Sequence, residues 1–116
     1  MLGAAEKVVR FTDGLNDVES FAADEKTVDA VIRNIQIIGE AARHIPSDVQ
    51  ARHPTIEWAG MRGMRNILVH DYAGILLDQV WAVVQYRIPG LIASLHTILK
   101  AESLPDDREP ETHDAT

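Results

Sequence analysis

Residues 24–46 have the sequence DEKTVDAVIRNIQIIGEAARHIP, and their spacing predicts the longest helix of the chain. The apolar residues recur every three or four positions and form one continuous stripe, which consists of Val28, Val31, Ile32, Ile35, Ile38 and Ala42. Asp24 stands where a helix N-cap is expected, and Pro46 ends the pattern. Because an apolar stripe must be buried against other elements, this helix predicts a helical bundle.

The rest of the chain shows the same helical spacing, and no segment alternates apolar and polar residues for long enough to predict a strand. Asn16 and Glu19 have the spacing of a capping box, and Thr55 stands where another cap is expected. Pro89 predicts a kink or a short break within residues 86–90. We therefore expect an all-α antiparallel bundle with a kinked C-terminal helix, in which further helices cover approximately residues 2–11, 18–23, 56–70 and 77–99.

The composition is that of one domain, because 116 residues with 46% hydrophobic content leave no room for a second core. We place this domain at residues 1–101 and expect the acidic, proline-containing residues 102–116 to form a disordered tail. The absence of cysteine excludes disulfides, a thiolate zinc site and a cysteine nucleophile. His44, His53 and His96 lack the spacing of a zinc site, so we expect neither a metal nor a cofactor.

The formal net charge of −7 is concentrated at the C-terminal end. Residues 102–116 contain six acidic residues against one arginine, whereas residues 1–101 carry a net charge of only −2. From Arg33 to Arg65 five arginines outnumber three acidic residues, so a polyanion such as RNA is not excluded as a ligand. Neither a secretion signal nor a run of about 18 apolar residues is present, so we expect a cytoplasmic protein without a membrane span.

Residues 61–72, MRGMRNILVHDY, combine residue types that suit chemistry on a phosphate. On a helical wheel the polar side chains share one half of the helix, namely Arg62, Arg65, Asn66 and His70. Two arginines this close repel each other, which is useful mainly when an anion lies between them. The alternative is a surface cluster in which the histidine interacts with the C-terminal end of the helix. Gly60 and Gly63 are expected to let another helix approach closely.

Metal-independent RNA cleavage requires a base for the 2′-hydroxyl proton, an acid for the leaving 5′-oxygen and cations for the charge on the phosphate. His70 and Arg65 match two of these roles. One histidine cannot be the unprotonated base and the protonated acid at the same time, so the catalytic site of a single copy of the chain is incomplete. A two-fold dimer would supply a second His70.

Another polar row lies on the helix predicted for residues 24–46 and contains Asp29, Arg33, Gln36, Glu40 and Arg43. This row is either a solvated face with intrahelical ion pairs or one wall of a polar cleft. In the second case, Arg33 and Glu40 are the candidates for lining the cleft.

Residues 65–72 fit the pattern R-x4-H-x-Y and resemble the HepT-like toxins of the HEPN superfamily, partners of minimal nucleotidyltransferases in toxin–antitoxin pairs. The resemblance covers about residues 1–100, because residues 24–42, Trp58, Gly63–Met64 and the region from Val80 to Pro89 are also similar to that family. Two features depart from it. The first helix starts roughly two to three turns late, which implies a misassigned start or a trimmed dimer wall, and the acidic tail is extra.

The resemblance implies a homodimeric bundle and a metal-independent endoribonuclease whose two R-x4-H segments meet in a cleft between the copies. Arg65 and His70 would be catalytic, with Asn66 and Arg62 in support. A cognate nucleotidyltransferase antitoxin would attach AMP to Tyr72 and block the RNA site with charge and bulk; otherwise Tyr72 is an ordinary tyrosine at a helix end. The alternative function is a non-catalytic subunit that holds a nucleotide or positions substrate for the nucleotidyltransferase.

Overall fold

The structure is a computed structural model that describes residues 1–70 and 76–102, with the backbone alone for residues 66–70 and 76. Within these residues the secondary structure is entirely helical, which confirms the predicted all-α class. The helices are α1 (Leu2–Phe11), α2 (Val18–Ala22), α3 (Glu25–Arg43), α4 (Ser47–Arg52), α5 (Trp58–His70), α6 (Leu76–Ala82) and α7 (Ile88–Glu102), with a π-helical turn (Val83–Arg87) between α6 and α7. Tyr72 and the predicted disordered tail from residue 103 onward lie outside the described residues.

The N-cap of α3 is the one that the sequence predicts. The Asp24 carboxylate accepts a hydrogen bond from the backbone N–H of Thr27 at 3.2 Å and another from its hydroxyl at 2.8 Å. The cap of α2 is Asp17 rather than Asn16, because α2 begins at Val18 and the Asp17 carboxylate accepts from the backbone N–H of Ser20 at 2.8 Å. The side chain of Asn16, one position earlier, would not face the backbone N–H of Ser20, which has no partner within the helix.

Helix α5 begins at Trp58, two residues later than predicted, so Thr55 is not its cap. The indole N–H of Trp58 donates to the carbonyl oxygen of His53 at 3.0 Å, which turns the chain between α4 and α5. Trp58 is buried, as the sequence predicts. The anchored indole therefore fixes where the helix that carries Arg65 and His70 starts.

Helix α3 lies at the centre of the fold and packs most extensively against α5 and α1, while α1 also packs against α7. Its predicted apolar stripe is buried throughout, which confirms the assignment of the core face. The largest fully buried side chains of the core are Phe21, Leu2, Ile35, Ile38, Ile88, Val8 and Val31. Among residues 1–70 and 76–102, no helix is both long and apolar enough to cross a bilayer.

The chain runs through Pro89 without a break in the helix. Instead, the turn before it widens, and the backbone N–H of Ile88 donates to the carbonyl oxygen of Val83, five residues earlier. Pro89 has no N–H to donate to the preceding turn, and a π turn accommodates that loss within a continuous helix. The predicted irregularity is therefore a π turn that starts at Val83.

Candidate active site

Helix α5 carries the whole R-x4-H segment on an uninterrupted helical backbone that ends at His70. Arg65 and His70 are five positions apart, which separates them by roughly 7.5 Å along the axis and about 140° around it. Asn66 and His70 are four positions apart and share one ridge of the helix. The two residues predicted to be catalytic thus lie on one helix, although not on one narrow face of it.

Arg65 lies at a point where α5 approaches α3 closely. A Cβ atom added to Gly39 would lie 2.8 Å from the backbone nitrogen of Arg65 and 3.1 Å from its Cβ. Real Cβ atoms are not found at such a distance from a backbone atom, so this approach requires glycine. Gly39 therefore fixes the position of Arg65 against the central helix.

Glu40, the residue after Gly39, is shared by two arginines. Its Oε2 atom lies 3.3 Å from Nη1 of Arg43 and 3.7 Å from Nε of Arg65. The side chains of Arg65 and Glu40 are 43% and 46% exposed, so both remain accessible to a ligand. Of the two residues predicted to line a cleft, Glu40 is thus placed directly beside Arg65.

Arg33, the other predicted cleft residue, lies seven positions before Glu40 on the same side of α3 and is exposed. Two helical turns separate the two residues, or roughly 10.5 Å along the axis. The structure therefore leaves Arg33 two turns away from the Arg65–Glu40 pair, on the same row.

Arg62 has a partner outside this cluster. Its Nη1 atom donates to the side-chain oxygen of Gln50 in α4 at 3.0 Å, and the Gln50 amide donates to the carbonyl oxygen of Ile45 at 2.9 Å. These bonds join α5 to α4. Arg62 thereby holds the helix in place in this structure, one turn before Arg65.

The packing role predicted for Gly60 and Gly63 is wrong for Gly63, since a Cβ atom added there would meet nothing within 4 Å. A Cβ on Gly60 would meet only flexible side-chain atoms within that range, the nearest being Nη2 of Arg87 at 2.7 Å. The glycine that permits helix contact is Gly39. Its signal in the sequence is a residue without a side chain inside the apolar stripe, between Ile38 and Ala42.

A charged cluster joins the last residue of α7 to the end of α4. The Glu102 carboxylate accepts hydrogen bonds from both Nε and Nη2 of Arg52, and its Oε2 lies 2.8 Å from Nε2 of His53. Hydrogen bonds from Arg52 and then from His53 lower the pKa of Glu102 to about 2. Glu102, assigned to the tail from sequence, therefore belongs to the helical domain.

Two of the three aromatic residues expected in the core or a dimer contact are packed within the chain. Trp58 is buried, and the ring of Trp81 lies 5.2 Å from the ring of Phe21. Tyr86 is 84% exposed, so it is not a core residue. Among the described residues, no group of three or more His, Asp or Glu side chains is arranged to hold a metal ion.

Comparison with known proteins matches residues 1–98 to the family described as Ribonuclease HepT-like. The chain belongs to the HepT-like ribonuclease family. It is 42% identical over 82 residues to a Thermococcus cleftensis protein named as a probable ribonuclease HepT, covering 71% of this chain and 74% of that protein. Two Methanocaldococcus jannaschii proteins provisionally named as RNases are 34% identical over 93 residues, covering 80% and 76% of the two chains, and 38% identical over 89 residues, covering 77% and 81%. No solved structure matches.

Membership in the HepT-like ribonuclease family confirms the resemblance seen in residues 65–72 and the predicted enzyme class. The matched range contains α1 to α6, the π turn and most of α7. The Arg65–Glu40 pair and the Gly39 contact therefore lie within the part of the chain that the HepT-like family defines.

Proposed function

We propose that the chain is a metal-independent endoribonuclease toxin that cuts RNA by attack of a 2′-hydroxyl on the adjacent phosphate. The observation that carries the proposal is the placement of an accessible guanidinium, that of Arg65, on the helix that ends with His70 in a HepT-like ribonuclease. RNA as the substrate agrees with the sequence-based expectation of a cytoplasmic protein. The proposal assigns each chemical step to a side chain of α5.

His70 takes the proton from the 2′-hydroxyl, whose oxygen then bonds to phosphorus and displaces the 5′-oxygen of the next nucleotide. A protonated His70 from a second copy of the chain donates a proton to the leaving 5′-oxygen, and the products are a 2′,3′-cyclic phosphate and a free 5′-hydroxyl. Arg65 neutralises the charge that develops on the phosphate oxygens, with Asn66 as a further hydrogen-bond donor. Arg62 supports Arg65 by fixing α5 against α4.

A homodimer completes this chemistry. The acid and the base must be in opposite protonation states at the same moment, and each copy of the chain supplies one His70 to the site. A two-fold axis beside α5 would bring both R-x4-H segments to one phosphate. Arg33 and Glu40 would then line the cleft on either copy.

The partner in this proposal is a minimal nucleotidyltransferase that acts as the antitoxin. It would transfer AMP to Tyr72, two residues beyond His70. The added phosphate carries negative charge and the nucleoside carries bulk, and both would oppose the binding of an RNA phosphate beside Arg65.

The decisive experiment is cleavage of single-stranded RNA by the purified chain in excess chelator. We expect His70→Ala to lower the rate by about 10²–10⁴-fold and Arg65→Ala by about 10²–10³-fold. Arg10→Ala, an exposed arginine at the end of α1, is the matched control and should cleave normally. Intact RNA together with tight nucleotide binding would contradict the proposal and favour a non-catalytic subunit of a nucleotidyltransferase complex.

A further inference from the structure

An open groove of about 320 Å³ lies between α5 and the segment from the π turn into α7, and we call it the α5–α7 groove. Its floor is apolar, because Met61, Met64 and Leu91 are buried there. Its remaining lining includes polar groups from three parts of the chain, namely Thr55, Glu57, Tyr86, Arg87 and Ser94. Small-molecule sites have volumes of roughly 300–1,000 Å³, so the groove has room for one flat ring system.

Tyr86 is the most exposed large hydrophobic residue in the described part of the chain, at 84%. It belongs to the π turn Val83–Arg87, and π turns within helices are frequent at functional sites. Tyr86 lines the groove without being buried in it. An aromatic face left in water in this way is available for stacking on another flat group.

Arg87 adds a cation to the same rim. Its Nη2 atom lies 2.8 Å from Oε2 of Glu57, and its guanidinium lies directly over Gly60, where a Cβ atom would be 2.7 Å away. The Glu57 side chain is 76% exposed, and exposed ion pairs are weak. Arg87 can therefore exchange this carboxylate for a phosphate oxygen with little loss.

We propose that the α5–α7 groove binds an unpaired nucleobase of the RNA strand that flanks the cleavage site, an inference that rests on the proposed function. Tyr86 stacks on one face of the base, and the apolar floor of Met61 and Met64 contacts it from below. The hydroxyl groups of Thr55 and Ser94 can hydrogen-bond to the edge of the base. Arg87 binds the phosphate next to it.

The position of the groove along α5 fits this substrate. Met64, in the floor, directly precedes Arg65, so the groove and the proposed phosphate site lie on neighbouring sides of one helix. A helix is roughly 10 Å in diameter. About three stacked nucleotides of a single strand cover the same distance. A strand held at Arg65 can therefore place a neighbouring base in the groove.

A second copy of the chain is the other occupant that would cover Tyr86. Glutamate and serine are depleted at protein interfaces, whereas this groove has Glu57 and Ser94 in its lining. A cation beside an exposed ring is instead the usual combination for single-stranded nucleic acid. The observations thus favour the base.

The test measures binding of a fluorescent single-stranded RNA at fixed salt to the His70→Ala chain, in which cleavage should be about 10²–10⁴-fold slower. Adding Tyr86→Ala should weaken binding about tenfold, whereas Tyr86→Phe, which keeps the ring, should stay within about twofold. Gln85→Ala is the matched control, because Gln85 is an exposed residue of the same π turn and does not line the groove. An RNA with an abasic position in the groove should bind wild-type and Tyr86→Ala chains equally.

Gly60→Ala tests the role of Arg87 without damage to the fold. The added methyl group displaces the flexible end of Arg87, and alanine is favoured over glycine inside a helix, so thermal stability should not fall. Loss of one phosphate contact should reduce the slope of the logarithm of the RNA binding constant against the logarithm of the salt concentration by about one unit.

Binding of the Tyr86→Ala chain that equals the Gln85→Ala control would overturn the inference. A change of the Tyr86→Ala chain from dimer to monomer in light scattering would overturn it as well, since the groove would then be an interface between copies. Both results are independent of catalysis, because binding is measured on the slowed His70→Ala chain and light scattering measures only the oligomeric state. Failure of the wild-type chain to cleave RNA would contradict the proposed function alone and leave a Tyr86-dependent RNA site in place.

Discussion

The backbone of Arg65 lies against Gly39, so closely that a Cβ atom on Gly39 would be 2.8 Å from the Arg65 nitrogen. The next residue of α3, Glu40, has its carboxylate 3.7 Å from Nε of the same arginine. Two consecutive residues of α3 therefore determine how closely the Arg65 backbone approaches that helix and which carboxylate lies beside its guanidinium. The geometry of the proposed phosphate site depends on α3 as much as on α5.

Gly39→Ala should destabilise the chain and impair RNA cleavage together. The new methyl group meets backbone atoms of Arg65 and Met61, which cannot move without shifting α5. Overpacking of this kind costs about 1–3 kcal/mol of unfolding free energy, which urea denaturation would measure. Gly63→Ala is the control, since its methyl group enters open space and should stabilise the helix by up to about 1 kcal/mol. Equal stability of the two variants would refute the packing argument.

Glu40→Gln should lower kcat/KM for RNA by about tenfold, because loss of the charge frees Arg65 from its position. Stability should change by less than about 0.5 kcal/mol, since the side chains are partly exposed. Asp48→Asn is a suitable control, because Asp48 forms another surface pair, with Arg52, in which the charged atoms are 3.3 Å apart. An unchanged kcat/KM in Glu40→Gln would show that Arg65 does not depend on this carboxylate.

Glu102→Gln should remove a pH-dependent part of the stability. Hydrogen bonds from Arg52 and His53 lower the pKa of Glu102 to about 2, below the ordinary value of 4.5. A carboxyl group whose pKa is lowered in the folded state stabilises the protein above its unfolded pKa, and this contribution is lost as the pH falls through the folded value. The wild-type chain should therefore melt at a higher temperature than Glu102→Gln at pH 7, and the difference should shrink below pH 4.5 and vanish only below about pH 2.

Thermal unfolding followed by circular dichroism across this pH range provides the measurement. Asp13→Asn, an exposed acidic residue in the connection after α1, should melt like the wild-type chain at every pH. A gap between wild-type and Glu102→Gln that stays constant down to pH 2 would show that the stabilisation does not come from the ionised carboxylate.

Tyr72→Phe should abolish modification by the proposed antitoxin. Phenylalanine keeps the ring but lacks the hydroxyl oxygen to which AMP would be attached. Intact-mass measurement after co-expression with the cognate nucleotidyltransferase should show AMP-sized increments for the wild-type chain and none for Tyr72→Phe, with Tyr86→Phe as the second tyrosine control. Increments that persist in Tyr72→Phe would remove the assignment.

Helix content and the core face could be predicted from local spacing. The stripe from Val28 to Ala42 is buried as its periodicity predicts, and Asp24 caps α3. The first residue of a helix was harder to predict from the sequence. Thr55 has a side chain suited to an N-cap, and yet α5 begins at Trp58. The indole N–H of Trp58 donates to the carbonyl oxygen of His53 across the connection between α4 and α5. Helix propensities of single residues do not describe a side-chain bond of this kind.

The candidate site shows the same division. Its residue types and their order are evident in residues 61–72 of the sequence. Their partners are not evident, since Arg62 binds Gln50 and Arg65 meets Glu40 across a helix contact. Tyr86 is exposed, so it is not a core residue, whereas a dimer contact at Tyr86 stays a prediction.

The linear order of residues was sufficient to establish an all-helical chain with a central amphipathic helix and an R-x4-H helix, because helical periodicity is a property of neighbours three and four positions apart. Which side chains meet across α3 and α5 depended on the way these helices pack. That arrangement arises from contacts between residues more than 20 positions apart, such as Gly39 and Arg65. Such contacts depend on the shapes of the two helix surfaces and on how closely the helices approach each other. The spacing of residues along the sequence contains no information about either.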